Sequence, residues 1–122
     1  MKVLLVDDSN SIAMVVGQML KEVGHEVLRA KHGLDAVDIL KQHADVDCIL
    51  LDWNMPEMDG LEFLQHNKEH NVASCPIIMM TTENKPEKIV LALQNGAREY
   101  IMKPFTQDIL VSKINSVTEG AA

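Results

Sequence analysis

The sequence predicts an α/β fold of the doubly wound kind, a three-layer sandwich in which helices cover both faces of a five-stranded parallel sheet. Short apolar segments alternate along the chain with longer segments whose apolar residues recur at helical spacing. Strands that are each followed by a helix need crossover connections, and such crossovers join parallel strands. The predicted strands are 2–6, 26–30, 47–51, 77–81 and 99–102.

Three of these strands are almost unbroken apolar runs, at 3–6, 49–51 and 77–80. Parallel strands that are covered on both faces have this composition, so we expect these three in the centre of the sheet. The strands at 26–30 and 99–102 carry more polar residues and suit its edges.

The helices between the strands have recognisable ends. Gly24, Asn71 and the Asn95-Gly96 pair are residues that commonly end a helix in the left-handed conformation. Pro86 suits a first helical turn, and Thr106 can cap the last helix. We assign to the core the apolar stripes of the first and fourth helices, including Val15 and Leu93, and the methionines at positions 14, 19, 79, 80 and 102.

Length and composition indicate one globular domain that spans residues 1–122, with 47% hydrophobic and 24% charged residues. The net charge of −7 and the pI near 5.1 argue against a nucleic-acid partner, because phosphate binding needs clustered basic residues. No apolar run is long enough to cross a membrane. The first residues lack the pattern of a signal peptide, so we expect a cytoplasmic protein.

Polar residues directly follow the strands that are predicted to be central. In doubly wound sheets the ligand site lies beyond the carboxyl ends of the strands. Asp7, Asp8 and Asp52 would therefore converge if the first and third strands are neighbours. Two carboxylates about 5 Å apart repel by roughly 3 kcal/mol at an effective dielectric of 20, so the cluster requires a cation. The all-oxygen ligand set favours Mg²⁺ over zinc or copper.

Two more strand ends add groups that suit phosphoryl chemistry. The hydroxyl of Thr81 and the ammonium of Lys103 follow the fourth and fifth strands. Phosphoryl transfer depends on positioning and on neutralising the phosphoryl oxygens, which these groups and Mg²⁺ can do. Asp52 would be the nucleophile, and the product an aspartyl-phosphate.

Four motifs in these positions resemble one known family. They are Leu-Leu-Val-Asp-Asp-Ser at 4–9, Asp-Trp-Asn-Met-Pro-Glu-Met-Asp-Gly at 52–60, Met-Met-Thr-Thr-Glu at 79–83 and Tyr-Ile-Met-Lys-Pro-Phe at 100–105. Together they span most of the chain and resemble the receiver domain of response regulators, especially the single-domain receivers of chemotaxis. The resemblance implies the flavodoxin-like strand order 2-1-3-4-5.

The resemblance also implies a role for each acid. Asp52 would accept a phosphoryl group from a histidine kinase or from a small donor such as acetyl phosphate. Asp8, Asp52 and the main-chain carbonyl of Asn54 would bind Mg²⁺, and Asp7 would act through a metal-bound water.

The remaining motif residues would form the switch. By resemblance, Thr81 moves toward the phosphoryl group and the ring of Tyr100 turns inward. Lys103 would contact the phosphoryl group, and its peptide bond to Pro104 would be cis.

The rim of the site departs from the family's usual pattern at Thr82, where a small residue is typical. We predict that Asn54, Thr82 and Glu83 modulate access to Asp52. Because the side chain of Thr82 is β-branched, it should slow both small phosphodonors and the attacking water.

The fourth helix carries more apolar residues than one buried face requires. Val90 and Leu91 lie beside its core stripe, and with Tyr100 they predict a target-binding face formed by helix four, strand five and helix five. The target could be another protein or a second receiver. The chain itself could be a free-standing receiver, a domain of a longer regulator or a phosphorelay intermediate.

Two other classes of protein share single features with this sequence. His66-Asn67-Lys68-Glu69-His70 matches the H-x-x-E-H pattern of inverted zinc peptidases, but no third ligand is indicated. Phosphatases with a nucleophilic strand-end Asp use a second acid two residues later, and here that residue is Asn54. We therefore expect a slowly self-dephosphorylating switch rather than a turnover enzyme.

Overall fold

The computed structural model describes residues 1–82 and 85–118. Strands and helices alternate throughout these residues, in the order β1 (Lys2–Val6), α1 (Asn10–Glu22), β2 (Glu26–Ala30), α2 (Gly33–Gln42), β3 (Cys48–Asp52), α3 (Gly60–His70), β4 (Ile77–Thr81), α4 (Pro86–Gln94), β5 (Glu99–Met102) and α5 (Gln107–Thr118).

The five strands form one parallel sheet in the order β2-β1-β3-β4-β5. This confirms the predicted fold class and strand order, with the two more polar strands at the edges. Val6 pairs with Leu51, so the carboxyl ends of β1 and β3 lie side by side. The residues that follow these two ends are therefore close in space.

The third strand begins and ends one residue later than the predicted range 47–51. Asp47 lies before the strand, where its carboxylate accepts a hydrogen bond from the backbone N–H of Lys2 at 2.8 Å. Asp52 still pairs with Met80, and the next N–H, that of Trp53, donates to the Met80 carbonyl at 3.3 Å. The prediction ended the strand at its last apolar residue, whereas backbone pairing carries it through Asp52.

Two apolar cores lie on opposite faces of the sheet. Helices α2, α3 and α4 pack on one face, through residues that include Leu40, Phe63 and Ala92. Helices α1 and α5 pack on the other, through residues that include Leu20 and Ile114. Because both faces are covered, every residue of β3 and β4 is buried.

Part of the predicted core is exposed. Met14 is 75% exposed, Val15 53% and Leu93 41%, so assigning these three residues to the core was wrong. Helix α1 meets the sheet through a narrower stripe of Ala13, Val16, Gly17 and Leu20. The apolar stripe in the sequence is wider than the face that the sheet covers.

Most of the predicted helix ends are confirmed. Asn71 ends α3 in the left-handed conformation at φ 53°, Pro86 begins α4, and the Thr106 hydroxyl accepts a hydrogen bond from the Ile109 N–H at 3.3 Å. After α4 the left-handed residue is Gly96 at φ 111°, since Asn95 has φ −97°. Within the described residues, no helix combines the length and apolarity that a membrane span needs.

Candidate functional site

Three carboxylates converge beyond the ends of β1 and β3, as the sequence predicts. Asp7, Asp8 and Asp52 each offer an oxygen atom, and these atoms lie within 4.8 Å of one another. Asp7 is fully buried and Asp52 is 7% exposed, whereas Asp8 is open to solvent. We call this cluster the acidic pocket.

Lys103 joins two of these acids at the end of β5. Its Nζ donates to Asp52 Oδ1 at 2.8 Å and to Asp7 Oδ2 at 3.2 Å. Its peptide bond to Pro104 is cis, as the resemblance implies, and its backbone N–H donates to the Thr81 carbonyl at 2.9 Å. The ammonium group is thereby held between the two buried carboxylates.

Burial and charge act in opposite directions on this pair. Burial raises the pKa of Asp52, and the negative charges of Asp7 and Asp8 add to that rise. The hydrogen bond and positive charge of Lys103 oppose it. The net result is a pKa of Asp52 above its ordinary value. Burial by itself would lower the pKa of Lys103, but contact with Asp52 and Asp7 outweighs burial and raises that pKa. Lys103 is therefore a cation at neutral pH.

Two residues without an assigned role hold Asp7 in place. The backbone N–H of Ser9 donates to Asp7 Oδ1 at 2.9 Å. The guanidinium of Arg29 donates to the Asp7 carbonyl from Nη2 at 2.8 Å and from Nε at 3.2 Å. The sequence carries no local signal for this contact, which arises because Arg29 on β2 pairs in register with Leu5, two residues before Asp7.

Thr81 and Tyr100 lie on the same face of the sheet. Thr81 ends β4, is 2% exposed and pairs with Met102, whereas Tyr100 pairs with Met79. Paired residues of parallel strands point to the same side, and so do residues two apart. The half-buried Tyr100 packs against the core under α2, α3 and α4, and Lys113 Nζ lies 5.4 Å from the centre of its ring. The two switch candidates are thus diagonal neighbours.

The loop from β3 to α3 is tightly packed against Asp52. A Cβ atom on Gly60 would lie 2.5 Å from the Asp52 carbonyl oxygen, and the Gly60 N–H donates to the Trp53 carbonyl at 2.9 Å. Glu57 adopts a left-handed conformation at φ 67° in this loop. Asn54 is exposed near the start of the loop, two residues after the end of β3.

The predicted rim is described in part. Thr82 follows Thr81 directly and is exposed. Glu83 lies outside the described residues. Trp53, the residue after Asp52, is 8% exposed, and Lys88 Nζ lies 5.6 Å from the centre of its ring. The indole is therefore well placed to report events at Asp52.

The acidic pocket suits Mg²⁺. Its three acids offer only oxygen ligands. Within the described residues, these three metal-ligating side chains lie close enough together to hold one ion. Lys103 alone pairs with these acids among the described residues, so the cluster keeps an excess of negative charge. A hard divalent cation with room for water ligands meets that need. The residues that would hold it are Asp8 and Asp52, with Asp7 behind them.

Comparison with known proteins identifies the class. The family model described as "Response regulator receiver domain" matches residues 3–115, and the chain belongs to this family. The resemblance stated from the motifs is thereby confirmed.

Individual relatives agree in sequence and in structure. A chemotaxis protein CheY homolog from Campylobacter jejuni is 42% identical over 100% of this chain and 99% of its own length. Chemotaxis protein CheY1 from Helicobacter pylori is 40% identical, with 96% of each chain covered. Among solved structures, Vibrio cholerae chemotaxis protein CheY4 is 38% identical with a TM-score of 0.87, covering 95% of this chain and 97% of that one.

A further solved structure is a complex. It is the CheX-CheY-BeF3-Mg+2 complex from Borrelia burgdorferi, which matches with 30% identity and a TM-score of 0.89, covering 95% of this chain and 87% of that one.

Proposed function

We propose that this chain is a phosphorylation-dependent switch of a two-component pathway, which acts in the cytoplasm and accepts a phosphoryl group on Asp52 from a histidine kinase. The observation that carries the proposal is the buried Asp52 carboxylate, bonded to Lys103 at 2.8 Å and facing two further acids. Family membership supports the same function.

The chemistry follows from the residues around Asp52. Bound Mg²⁺ would supply charge neutralisation for the carboxylates and for the phosphoryl oxygens. A carboxylate oxygen of Asp52 attacks phosphorus, the bond from phosphorus to the donor imidazole breaks, and the imidazole keeps the electron pair. Lys103 can turn its ammonium from Asp52 to a phosphoryl oxygen, since Asp7 continues to hold it. The Thr81 hydroxyl offers another donor from the neighbouring strand end.

The product is expected to persist rather than turn over. Asn54 stands where phosphatases that use a similar nucleophile have an acid, so the chain lacks a base there to activate water. We propose a slowly self-dephosphorylating switch and not an enzyme.

The output is proposed to be of the chemotaxis type, because the named relatives are chemotaxis proteins. The proposed target face lies on α4, β5 and α5. Val90 on α4 is 48% exposed, Leu91 is half-buried, and the exposed Leu93 extends the same helix surface. Tyr100 on β5 links this face to Thr81. A receiver within a longer regulator, or a phosphorelay intermediate, would use the same site.

The direct test is phosphorylation with acetyl phosphate and Mg²⁺, followed by intact-mass and peptide mass spectrometry. We expect one phosphoryl group, on Asp52, which requires Mg²⁺ and is absent in Asp52→Asn. The matched control is Asp38→Asn, which changes an exposed acid of α2 and should leave phosphorylation unchanged. Phosphorylation that survives in Asp52→Asn would overturn the assignment.

A second experiment tests the output. The chain is used as bait with and without beryllofluoride, which mimics the phosphoryl group on an aspartate. A partner that binds in one state only, and that is lost in Val90→Glu, supports the switch and its proposed face. Equal binding in both states contradicts the proposal.

A further inference from the structure

A pair of histidines lies at the far end of α3 from the acidic pocket. His66 and His70 are one helical turn apart, and their ring centres are 4.4 Å apart with an angle of 39° between the ring planes. Residues at this spacing share one face of a helix. The pair therefore presents two imidazoles side by side.

Two imidazoles at this spacing can bind one metal ion. A ring nitrogen of neutral histidine ligates zinc at about 2.0–2.1 Å, so nitrogens of rings in van der Waals contact can reach the same ion with small side-chain rotations. The side chain of His70 is 55% exposed, so water can complete the coordination. Imidazole nitrogen favours zinc, nickel and copper over Mg²⁺.

The surroundings favour a cation at this position. The Glu69 carboxylate lies 3.8 Å from His70 Nε2 and is 78% exposed, so it can move toward a bound ion. The pair occupies the last turns of α3, where the helix dipole attracts positive charge. Asn71 caps the helix in the left-handed conformation, and the Asn67 side chain accepts a hydrogen bond from the Ala73 N–H at 2.6 Å. These bonds hold the backbone that carries both rings.

We propose that His66 and His70 form a surface site for a borderline divalent transition-metal ion, with Zn²⁺ as the representative ion. The site is separate from the acidic pocket, because α3 begins beside Asp52 and its residues rise about 1.5 Å each, which places His66 about 9 Å and His70 about 15 Å along the helix. A bound ion would join two successive turns of α3. The site has no role in phosphoryl transfer and does not depend on the proposed function.

The test is titration of the untagged full chain with Zn²⁺, measured by isothermal titration calorimetry. The buffer contains Mg²⁺ at a concentration that saturates the acidic pocket. We expect one Zn²⁺ per chain. His66→Gln and His70→Gln should each weaken binding by at least about tenfold, since loss of even an outer-shell partner costs about 10- to 100-fold. Zinc should raise the thermal midpoint of the wild type but not of His70→Gln.

Matched variants separate this site from others. His43→Gln changes a half-buried histidine at the end of α2, and His25→Gln removes the partner of the N-terminal amine, which lies 3.2 Å from His25 Nδ1. Both should bind Zn²⁺ as the wild type does. The proposal is overturned if His70→Gln keeps full affinity, if His25→Gln abolishes binding, or if excess Mg²⁺ displaces the zinc. Circular dichroism checks that each variant is folded.

Discussion

Two lysines at opposite ends of the sheet each lie between two carboxylates, in different surroundings. We call these the buried triad (Lys103, Asp7 and Asp52) and the exposed triad (Lys2, Glu26 and Asp45). The nitrogen-to-oxygen distances are 2.8 and 3.2 Å in the buried triad and 2.6 and 3.6 Å in the exposed one. Contact geometry alone does not distinguish them.

Solvent exposure of the acids distinguishes the two triads. The carboxylate side chains are 1% and 9% exposed in the buried triad, against 66% and 67% in the other. Burial raises the pKa of Asp52 despite its lysine, whereas the hydrogen bond from Lys2 lowers the pKa of the exposed Asp45. A lysine between two carboxylates therefore marks a candidate reactive site where the acids are buried, and a weak, solvent-screened contact where the acids are exposed.

The largest difference is expected when each lysine becomes methionine. Lys103→Met leaves two buried acids without a cation, and we expect a loss of roughly 3 kcal/mol in the free energy of unfolding without Mg²⁺. Lys2→Met removes a cation from solvated acids, and its unfolding curve should superimpose on that of the wild type. Urea denaturation at neutral pH measures both. Equal effects at the two positions would contradict the importance of burial.

Magnesium should act on one triad only. At ten times its dissociation constant, a ligand of the native state adds about 1.4 kcal/mol to the free energy of unfolding. We expect this gain in the wild type and in Asp45→Asn, and its loss in Asp8→Asn, which removes a proposed ligand. Thermal unfolding over a Mg²⁺ series, with Ca²⁺ for comparison, provides the measurement. A shift that persists in Asp8→Asn would place the ion elsewhere.

The two triads should depend on pH with opposite signs. The folded-state pKa of Asp52 is raised, so the folded chain keeps a proton that the unfolded chain loses near pH 3.8. The stability of the wild type relative to Asp52→Asn should therefore fall as the pH rises above that value.

The folded-state pKa of Asp45 is lowered, so its contribution is present above pH 3.8 and disappears as the pH falls below that value. The wild type should therefore lose stability relative to Asp45→Asn on acidification, and only slightly because the pair is solvated. Denaturation of the three proteins between pH 3 and 7 without Mg²⁺ tests this, and parallel curves would refute it.

The smallest expected effect concerns access to the buried triad. Thr82→Ala removes an exposed β-branched side chain beside Thr81 and should speed both phosphorylation by acetyl phosphate and loss of the phosphoryl group. We expect a change of about two- to fivefold, under about 1 kcal/mol of activation free energy. Fluorescence of Trp53 follows both rates. Thr82→Ser keeps the hydroxyl but loses the β-branch, so it should also speed both rates. Unchanged rates in Thr82→Ala would exclude a gating role.

Much of the fold and of the acidic pocket could be predicted because both depend on local patterns. Unbroken apolar runs identified the central strands, and the rule for strand ends selected Asp7, Asp52 and Lys103. The end of β3 was placed one residue early, since hydrogen-bond pairing does not stop where apolarity stops. The exposure of Met14 was missed because periodicity shows a direction on the helix and not the width of the surface opposite it.

Contacts between distant segments could not be predicted in the same way. Arg29 reaches the Asp7 carbonyl from β2, and Lys88 approaches Trp53 from α4. Nothing local to either cation indicates its partner, because many solvated positions would serve a long charged side chain equally well. The closeness of the His66 and His70 rings was implied by their spacing, but their contact depends on side-chain rotamers.

By itself the sequence determined the order of elements, the direction of the strands and which polar residues stand at their carboxyl ends, because hydrophobic periodicity and capping act over short stretches of chain. Only the tertiary structure decided which pair of acids is buried around its lysine and which pair remains in water, since the two lysine side chains are 16% and 17% exposed. Lys2 begins β1 and Lys103 directly follows β5, yet the packed sheet excludes solvent from Asp7 and Asp52 and leaves Glu26 and Asp45 hydrated. Exclusion of water depends on the whole assembly of layers, and no local segment encodes it.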